Sequence, residues 1–542
     1  MDAHSISSSS ASRCGSSRIY QDLKSIQLAS IKDLGQERLF RKFSTDVPDK
    51  HIMAGPSKKP RIGVIGAGVA GLRCADILLQ HGFGVTILEG RNRIGGRVNQ
   101  ETLVNGYLAD LGPNWIHGTK DNPIMEIASE TKTETGSWDT RSYMFDESGN
   151  LLSLEESERL ASVMWAMVQD AFDYSNQHCK EISANESLWG FFKKEVVKRI
   201  PTSEDGYERL RKLALQIAEM WGAFVGSPVQ SQSLKYFWLE ECIEGENLFC
   251  AGTYRDILAS IAKPALEKAD VKLGKVVTNI TRREDRQGKV RIQTRDGEVF
   301  EFEHVVLTAP LGWLKNSLDA FEPPLPPRMT KAIASLGYGC LEKIYITFPK
   351  AFWLGSDDAG RSVHGFCQWL SPTYDPNNPR KWNQEVVDLA SLSRSSSHPT
   401  LLFYTFGDAS KFLTDKVSKL DSKPKKDAFL FEFFRPYYSR LPHYSDSSPE
   451  CQPSGCLATD WLHDDLAGNG SYTNFQVGLE SGDSDVEVLR EGLPDAGLWF
   501  AGEHTAPFVA LGTVTGAYWS GESAGRRIAE RYGLSRNGEA PD

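Results

Sequence analysis

A glycine-rich turn near the beginning of the chain constrains the fold most. The apolar run Arg61–Ile65 leads into Gly66-Ala67-Gly68-Val69-Ala70-Gly71, a helical pattern covers Val69–Gln80, and Val85–Leu88 is a second apolar run. Glycine spacing of this kind occurs by chance, but a preceding strand and a following helix make it specific. The order of strand, turn, helix and strand predicts a βαβ unit that opens an α/β domain.

The glycine positions indicate a dinucleotide site. Gly66 permits a tight turn, Gly68 lets a pyrophosphate approach the backbone, and Gly71 lets the helix pack on the sheet. The helix N-terminus then offers N–H groups and a positive dipole end to the phosphates. Glu89 closes the second strand, where a carboxylate accepts hydrogen bonds from ribose hydroxyls and disfavours an additional 2′-phosphate. The alternative is a glycine-rich turn without a ligand.

The composition excludes several classes of protein. The chain has 542 residues, 40% of them hydrophobic and 24% charged, which favours two or more ordered domains over disorder. Its 71 acidic and 61 basic residues give a net charge of −10, which repels nucleic acid and attracts small cations. No apolar run is long enough for a membrane-spanning helix. We therefore expect neither a nucleic-acid partner nor a membrane segment.

The cysteines and the N-terminal region bear on location. Nine cysteines are scattered without paired metal-ligand spacing, so we expect no metal site and a reduced compartment, the cytoplasm. Residues 1–58 differ from the rest, because Ser5–Ser17 is serine-rich and no acid lies between Asp2 and Asp22. We expect a disordered extension there. A transit peptide that directs the protein to mitochondria is the alternative.

Beyond this unit the chain alternates between helical and strand patterns. Leu154–Tyr174 has the spacing of a helix, whereas Val271–Thr281 and Leu341–Phe348 read as strands. Two segments, serine-rich Ser391–Pro399 and lysine-rich Asp415–Asp427, are predicted to be surface loops.

A second glycine pair follows the βαβ unit. Arg91-Asn92-Arg93-Ile94-Gly95-Gly96-Arg97 brings backbone and positive charge close to a second part of a long ligand. From Glu89 to Arg97 the chain resembles the flavin-containing amine oxidases, which share a Glu-x-x-x-Arg-x-Gly-Gly-Arg run. The resemblance implies FAD rather than NAD, with Arg97 near the diphosphate or the flavin edge. Solvated surface arginines are the alternative.

Four further motifs extend the resemblance over roughly residues 60 to 530. Asp110–Gly118 is similar to a polyamine oxidase segment, Val276–Ile280 to a strand whose valine backbone contacts adenine, Thr308–Gly312 to a crossover into the substrate domain, and Phe500–Thr505 to a returning cofactor segment. In that last segment the resemblance implies that Glu503 bonds the ribityl or phosphate region. The implied cofactor-binding residues are Gly66, Gly68, Ala70, Gly71, Glu89, Arg91, Arg97, Gly112, Asn114, Val277, Glu503, Thr513 and Val514.

The resemblance also implies the domain organisation. A Rossmann-like FAD-binding domain is expected from the discontinuous segments 59–123, 247–310 and 456–535. A mixed α+β substrate-binding domain is expected from segments 124–246 and 311–455. A monomer or a weak dimer is expected.

Lys343 is the first candidate for the chemistry. Leu341–Ile346 alternates as a strand, which puts Lys343 and Tyr345 on one face. A surface lysine is the ordinary interpretation. By resemblance, however, Lys343 holds a water bridged to flavin N5, the atom that receives hydride. Desolvation lowers the pKa of a buried lysine, so that it handles protons near neutral pH.

The helix that begins near Gly512-Thr513-Val514 is the second candidate. By resemblance its N–H groups point at the pyrimidine side of the flavin, with the backbone contact at Val514. A helix N-terminus stabilises the negative charge that reduction places there.

The substrate side of the flavin carries three further candidates, Tyr472, Thr513 and His117. The family often has two aromatic walls; Tyr472 supplies one, whereas the other falls on Thr513, as in polyamine oxidases. Ser471 replaces the cysteine that links flavin in monoamine oxidases, so FAD is expected to be non-covalent. His117 contacts the amine chain in polyamine oxidases, although a lone histidine is ordinarily structural. An acidic stretch around Glu240 either lines a cation entrance or is a solvated face.

The resemblance implies FAD-dependent oxidation of an amine C–N bond, with O2 as electron acceptor and hydrogen peroxide as product. A small cationic polyamine, such as spermine, spermidine or an acetylated form, is the expected substrate. The alternatives are another primary amine, an L-amino acid held by an arginine, or a non-catalytic FAD-binding protein. A histone demethylase is disfavoured, because no helical-tower insertion is present.

Overall fold

Five short apolar segments pair into one parallel sheet. The computed structural model describes residues 60–534 except 139–141, 284–287, 358–359 and 394, so the predicted extension 1–58 lies outside the described residues. All neighbouring pairs in this sheet are parallel, with Ile62 paired to both His304 and Val85. The strand order is Leu498–Phe500, His304–Leu307, Arg61–Ile65, Gly84–Leu88 and Asp270–Lys272. We call this the parallel sheet.

Two helices, Val69–Gln80 and Val514–Arg531, cross each other beside the parallel sheet. Gly521 lies against the first helix, since a Cβ atom there would fall 2.1 Å from the carbonyl oxygen of Ala70. Gly525 is equally close to the first helix, since a Cβ atom there would fall 2.9 Å from the Cβ of Ile77. The small residues bring the two helix backbones together, and this fixes where each helix begins relative to the sheet.

A smaller, four-stranded sheet holds the region around Val277. Its order is Val299–Phe302, Val290–Thr294, Val277–Thr281 and Phe321–Glu322. The prediction of one strand over Val271–Thr281 is therefore wrong, because Asp270–Lys272 belongs to the parallel sheet. Gly274, at φ +71°, turns the chain between the two sheets, and its N–H donates to the carbonyl oxygen of Arg91 at 2.9 Å.

A six-stranded mixed sheet carries Lys343. Its pairs are antiparallel except that between its last two strands. The order is Gly455–Ala458, Leu341–Thr347, Thr400–Phe406, Gln384–Asp388, Phe366–Trp369 and Ser142–Phe145. Most side chains of these strands are buried, as expected for near-continuous apolar runs. The mixed sheet therefore offers a rigid support for the residues that project from it.

Three two-stranded sheets, eleven further α-helices and eight short 3-10 helices complete the described part of the chain. The small sheets pair Gln100–Thr102 with Leu108–Asp110, Trp115–Ile116 with Leu248–Phe249, and Gly337–Tyr338 with Thr473–Asn474. Besides the two helices named above, the helices are Pro123–Glu130, Leu154–His178, Leu188–Arg199, Tyr207–Ala218, Gly222–Val225, Arg255–Lys268, Leu311–Asn316, Pro327–Ser335, Gly407–Ser418, Lys423–Tyr438 and Gly482–Glu491. Several begin at a side-chain cap, as at Ser153, whose hydroxyl accepts from Glu156 N–H at 3.1 Å.

The loop predicted over Asp415–Asp427 is wrong, because both of its ends are helical. Gly407–Ser418 ends and Lys423–Tyr438 begins within it, which leaves only residues 419–422 as a connection. The second helix buries Leu430, Phe433 and Phe434 at helical spacing. The lysines occupy its exposed first turn, so a lysine-rich composition there marks a solvated helix end and not a loop.

The described residues belong to one compact unit. The strands of the parallel sheet come from all three segments expected for the FAD-binding domain, while five of the six strands of the mixed sheet come from segments expected for the substrate-binding domain. The boundaries between the two domains stay a prediction. No helix in the described part of the chain has the length and apolarity needed to cross a membrane.

Candidate active site

The carboxyl ends of the parallel strands meet at one edge of the sheet and form a cradle. Gly66 follows the central strand at φ +102°, and its N–H donates to the carbonyl oxygen of Leu88 at 2.8 Å. On the other side the Thr308 hydroxyl donates to Ile65 O at 2.8 Å. This edge, outside the ends of parallel strands, is where α/β sheets bind ligands.

The glycines leave open space beside the backbone at Gly68, where a phosphate group would fit. A Cβ atom on Gly71 would fall 2.0 Å from the carbonyl oxygen of Gly66. The first turn of the helix can therefore pack this closely on the glycine turn only with glycine at this position. At Gly68, in contrast, the nearest atom is Gly95 O at 4.0 Å. The helix Val69–Gln80 has no side-chain cap and no acid in its first turn. Its first N–H groups therefore remain for an anion, which fits a dinucleotide.

Glu89 orders the cradle from within. Its buried carboxylate accepts from Ala67 N–H at 2.7 Å and from Arg91 N–H at 2.8 Å. A carboxylate has about four lone-pair sites, so capacity remains for ribose hydroxyls. That ribose contact stays a prediction, whereas the contacts to the two loops are a function that the sequence did not indicate.

The two arginines predicted to bind the cofactor have different surroundings. Arg91 donates through Nη2 to both carboxylate oxygens of Asp464, each at 2.8 Å. Arg97 donates through Nη1 to Ser471 O at 2.7 Å and to Glu503 at 3.0 Å. Glu503 is only 4% exposed. The structure thus brings Arg97 and Glu503, far apart in sequence, into one ion pair at the edge of the cradle.

Gly112 and Val277 extend the cradle in two directions. A Cβ atom on Gly112 would lie 1.8 Å from Arg97 O, so this glycine lets the two segments touch. Val277 is buried in the four-stranded sheet, and the preceding Lys275 N–H donates to Glu89 O at 2.7 Å. The strand of Val277 is therefore attached to the ribose end of the cradle, and its contact with adenine stays a prediction.

Lys343 is buried beside the segment that holds Gly112. Its side chain donates to the carbonyl oxygens of Gly112 and Asp110, the latter at 3.4 Å, and the residue is 4% exposed. Tyr345, on the same face of the strand, donates to Asp110 O at 2.7 Å. Burial lowers the pKa of the Lys343 ammonium, and the nearby Asp110 and Glu342 carboxyls partly offset this. Lys343 can therefore exchange a proton near neutral pH.

Asn114 connects Lys343's strand to an aromatic group that sequence reasoning missed. The Asn114 amide donates to Tyr345 Oη at 3.1 Å and accepts from the Tyr404 hydroxyl at 3.0 Å. Trp115 Nε1 also donates to Tyr404 Oη, at 3.3 Å. Tyr404 lies on the strand Thr400–Phe406. The pairing of this strand with Leu341–Thr347, which brings Tyr404 opposite Lys343, depends on long-range register.

The substrate-side candidates lie around the start of the helix Val514–Arg531. A Cβ atom on Gly512 would lie 3.4 Å from the Tyr472 ring, and the Tyr472 hydroxyl donates to Phe224 O at 2.9 Å. Thr513 caps the helix, since its hydroxyl accepts from Gly516 N–H at 2.9 Å. Val514 follows directly, so its N–H belongs to the first turn, which has no partner within the helix.

His117 is tied to the same helix through Asn122. The Asn122 amide donates to His117 O at 3.3 Å, and Thr515 donates to Asn122 Oδ1 at 3.0 Å. Burial lowers the pKa of His117, while a hydrogen bond with Asn247 partly offsets this. The imidazole is therefore neutral near pH 7.

The acidic stretch contributes one carboxyl to this region. Glu240 influences the ionisation of both Tyr472 and Cys242, and its Oε1 is buried without a partner among the described residues. Burial raises the pKa of Glu240 to about 8. Glu244, in contrast, pairs with Lys120 at 2.9 Å on the surface. The stretch thus places the Glu240 carboxyl near Tyr472, while Glu241 accepts from the Asn176 amide at 3.0 Å and Glu244 pairs with Lys120.

Comparisons with known proteins agree with this arrangement. A family model described as flavin containing amine oxidoreductase matches residues 69–529. Polyamine oxidase 2 of Arabidopsis thaliana is 27% identical over 498 residues, covering 88% of this chain and 90% of its own. The human peroxisomal N(1)-acetyl-spermine/spermidine oxidase is 25% identical over 512 residues, with coverages of 82% and 90%.

Two other similarities concern part of a longer protein and the fold alone. FLOWERING LOCUS D of Arabidopsis thaliana is 27% identical over 88% of this chain, but the match covers only 56% of that longer protein. A solved structure of a redesigned putrescine oxidase superposes with a TM-score of 0.62 at 19% identity, covering 88% of this chain and all of that one, and it supports the fold. The cradle, the buried lysine and the family match lead to one conclusion: the chain belongs to the flavin-containing amine oxidoreductase family and is an FAD-dependent amine oxidase.

Proposed function

We propose that this amine oxidase acts on polyamines, namely spermine, spermidine or their N-acetylated forms. The product is an imine, which water hydrolyses to an aldehyde, and O2 yields hydrogen peroxide. The observation that carries the proposal is the similarity to polyamine oxidases over about nine-tenths of both chains. FAD, when bound, accepts the hydride from the carbon next to nitrogen and passes the electrons to oxygen.

The chain's own residues divide the work of holding the cofactor. The first turn of Val69–Gln80 would donate N–H groups to the diphosphate, and the open space at Gly68 would give the phosphates access. Glu89 and Val277 serve the nucleoside end. Arg97, Glu503 and the start of Val514–Arg531 serve the flavin end, where N–H donors and a positive dipole end stabilise negative charge.

Lys343 handles the proton. Its buried Nζ donates a hydrogen bond to the Gly112 carbonyl oxygen. The lowered pKa of this ammonium lets it accept or release a proton near neutral pH. The reacting nitrogen of the substrate must be neutral, because its lone pair stabilises the developing iminium. Burial around Tyr472, which raises the pKa of its phenol, favours that neutral form by desolvation.

A second, distant ammonium distinguishes a polyamine from a simple amine. The net charge of −10 attracts such a cation. The Glu240 carboxyl near Tyr472 is placed to pair with it, because an ammonium beside this carboxyl would lower the pKa that burial raises to about 8. His117, neutral near pH 7, can bond the amine chain without repelling it. Thr513, smaller than a second tyrosine, leaves space for a secondary amine flanked on both sides.

A panel of amines, assayed by peroxide release, tests the substrate class. Spermine, spermidine and N-acetylspermine should turn over with higher kcat/KM than benzylamine or any L-amino acid. The value of kcat/KM should rise between about pH 7 and 9, because a free alkylamine with a pKa of about 10.4 deprotonates over that range. Added salt should raise KM more for a polyamine than for a monoamine, since it screens the distant ammonium. Faster turnover of benzylamine or an L-amino acid than of every polyamine would refute the proposal.

We also propose that FAD is held without a covalent bond. Ser471 occupies the position where a linking cysteine would be, and its buried hydroxyl has no partner among the described residues. A serine lacks the soft nucleophile of a thiol. Acid precipitation should therefore release FAD into the supernatant, whereas a denatured pellet that stays yellow would contradict the proposal.

A further inference from the structure

Tyr404 lies directly opposite Lys343 on the neighbouring antiparallel strand of the mixed sheet. The Lys343 nitrogen is 5.9 Å from the centre of the Tyr404 ring. An ammonium within about 6 Å of an aromatic face is attracted by the negative charge density of the ring. The attraction is stronger in a desolvated site, and both residues here are buried.

The Tyr404 ring is fixed in this position. Its hydroxyl donates to Asn114 Oδ1 at 3.0 Å and accepts from Trp115 Nε1 at 3.3 Å. Trp115 is itself packed, with its ring edge-on to Phe249 at 5.3 Å and stacked on Phe366 at 6.1 Å. Because both hydrogen bonds end on ordered groups, the ring cannot turn away from Lys343 without breaking them.

We propose that Tyr404 is a positioning residue for Lys343, and that its ring holds the charged form of the lysine and sets how readily the proton is released. The other groups that face Lys343 are the carbonyl oxygens of Gly112 and Asp110, the Asp110 carboxyl and, from its own strand, Glu342. All of them favour the ammonium, while burial opposes it. The ring adds a favourable contact that is neither an ion pair nor a hydrogen bond.

The same ring reaches towards the substrate side. Tyr404 influences the ionisation of Tyr472, so the two phenols lie near each other. The contact with Lys343 is the direct one, because the strand register sets the two residues opposite each other and Nζ lies 5.9 Å from the ring centre. A change at Tyr404 should consequently act on Lys343 first.

The experiment titrates the purified FAD-loaded enzyme without substrate. The visible spectrum of the flavin is recorded from pH 5 to 10, and the inflection that disappears in Lys343→Met is assigned to Lys343. In Tyr404→Leu this inflection should move about 0.5–1 pH unit lower, because loss of the cation–π contact leaves the ammonium less stable. Tyr404→Phe keeps the ring, so its inflection should stay within about 0.3 unit of wild type.

Phe403→Leu is the matched control. Phe403 is the preceding residue on the same strand, is 0% exposed, and faces the opposite side of the sheet. The same loss of an aromatic ring there should leave the inflection unmoved. If Tyr404→Leu does not retain FAD, Tyr404→Met fills the space with a flexible apolar chain and gives the same comparison.

An unchanged inflection in the ring-lacking variants, or one at higher pH, would overturn the proposal. So would the absence of any inflection that depends on Lys343. The inference rests on Lys343 exchanging a proton near neutral pH and not on the polyamine assignment. A failure in the amine panel would therefore leave this titration unaffected, and the two outcomes are distinguishable.

Discussion

The cradle and the Lys343 side of the site are held together in different ways. Between Gly66 and Gly95 the cradle is held by groups close in sequence. Gly95 N–H donates to Ala67 O at 2.8 Å, and the Glu89 carboxylate accepts from Ala67 N–H and Arg91 N–H. The Lys343 side joins distant segments through side chains, and Lys343 and Gly112 are 231 positions apart. The difference teaches that substitutions in the cradle should affect cofactor retention and folding, whereas substitutions near Lys343 should affect rates.

The largest effect is expected at Gly71. In Gly71→Ala the new Cβ would fall 2.0 Å from the backbone oxygen of Gly66, so the turn or the helix start must move. Both the phosphate site and the contact between helix and sheet would be lost. We expect a purified variant with at least about 100-fold weaker FAD binding, or one that does not fold. The ratio of visible to ultraviolet absorbance after gel filtration measures this.

Gly84→Ala is the control for that change. Gly84 lies on the same parallel sheet, but a Cβ atom there meets only the Arg61 side chain at 3.6 Å, an ordinary contact. It should retain FAD like wild type. Equal FAD content in the Gly71 and Gly84 variants would show that the turn tolerates a side chain and would contradict the claim that close packing at Gly71 controls cofactor retention.

The next largest effect is expected at Lys343, and it concerns reaction rates and not cofactor retention. Lys343→Met keeps a similar apolar stem and removes the ammonium. FAD should still bind, while flavin reduction or reoxidation should slow by about 100-fold or more, as for other proton-handling groups. Stopped-flow absorbance separates the two half-reactions. The same substitution at Lys350, an exposed lysine paired with Glu450, should leave both rates unchanged.

Wild-type rates in both half-reactions of Lys343→Met would exclude Lys343 from the mechanism. Loss of FAD from that variant would contradict the expected difference between the two regions, since it would mean that Lys343 supports cofactor binding as the glycines do. The clear outcome is retained cofactor with slow chemistry.

The same contrast explains how far the sequence predicted the molecule. Gly66, Gly68, Gly71 and Glu89 were recognisable because a turn and the strand after it are local features with local requirements. Lys343 was identified by resemblance, since alternation alone predicts only which face a lysine shares. Tyr404 was missed, because its place depends on the register of two strands about 60 residues apart, which no local pattern specifies.

The Asp415–Asp427 error has a related cause. Lysine and aspartate at a helix end resemble loop composition, and the apolar spacing that identifies the helix begins only at Leu430. The internal bonds of Glu89 were not predicted for another reason. The fingerprint assigns that carboxylate to a ligand, whereas the fold also uses it to join two loops.

The smallest effect concerns His504, which shows that the cradle also contains a side chain sensitive to pH. Its ring is 0% exposed, and no described residue bonds either ring nitrogen. His304, also buried, is instead bonded to Trp499 at 3.1 Å and Tyr532 at 3.0 Å. Burial, together with the nearby Arg97, lowers the pKa of His504 to about 4, while Glu503 partly offsets this.

This depressed pKa has a definite sign for stability. The unfolded chain holds its histidines at a pKa of about 6.5, so below that pH the unfolded state binds a proton that the folded state refuses. The stability from a neutral His504 is complete above about pH 6.5 and is lost as the pH falls through about 4.

In His504→Leu nothing has to be protonated, and two unbonded buried nitrogens are removed. The free energy of unfolding in urea should therefore fall less for this variant than for wild type between pH 7 and 4.5, by about 2–3 kcal/mol. The remaining decline, to which the unchanged His304 contributes, serves as the internal control. Parallel curves for variant and wild type would mean that His504 finds a proton acceptor in the folded enzyme, and the cradle would then be as dependent on side-chain bonding as the Lys343 side.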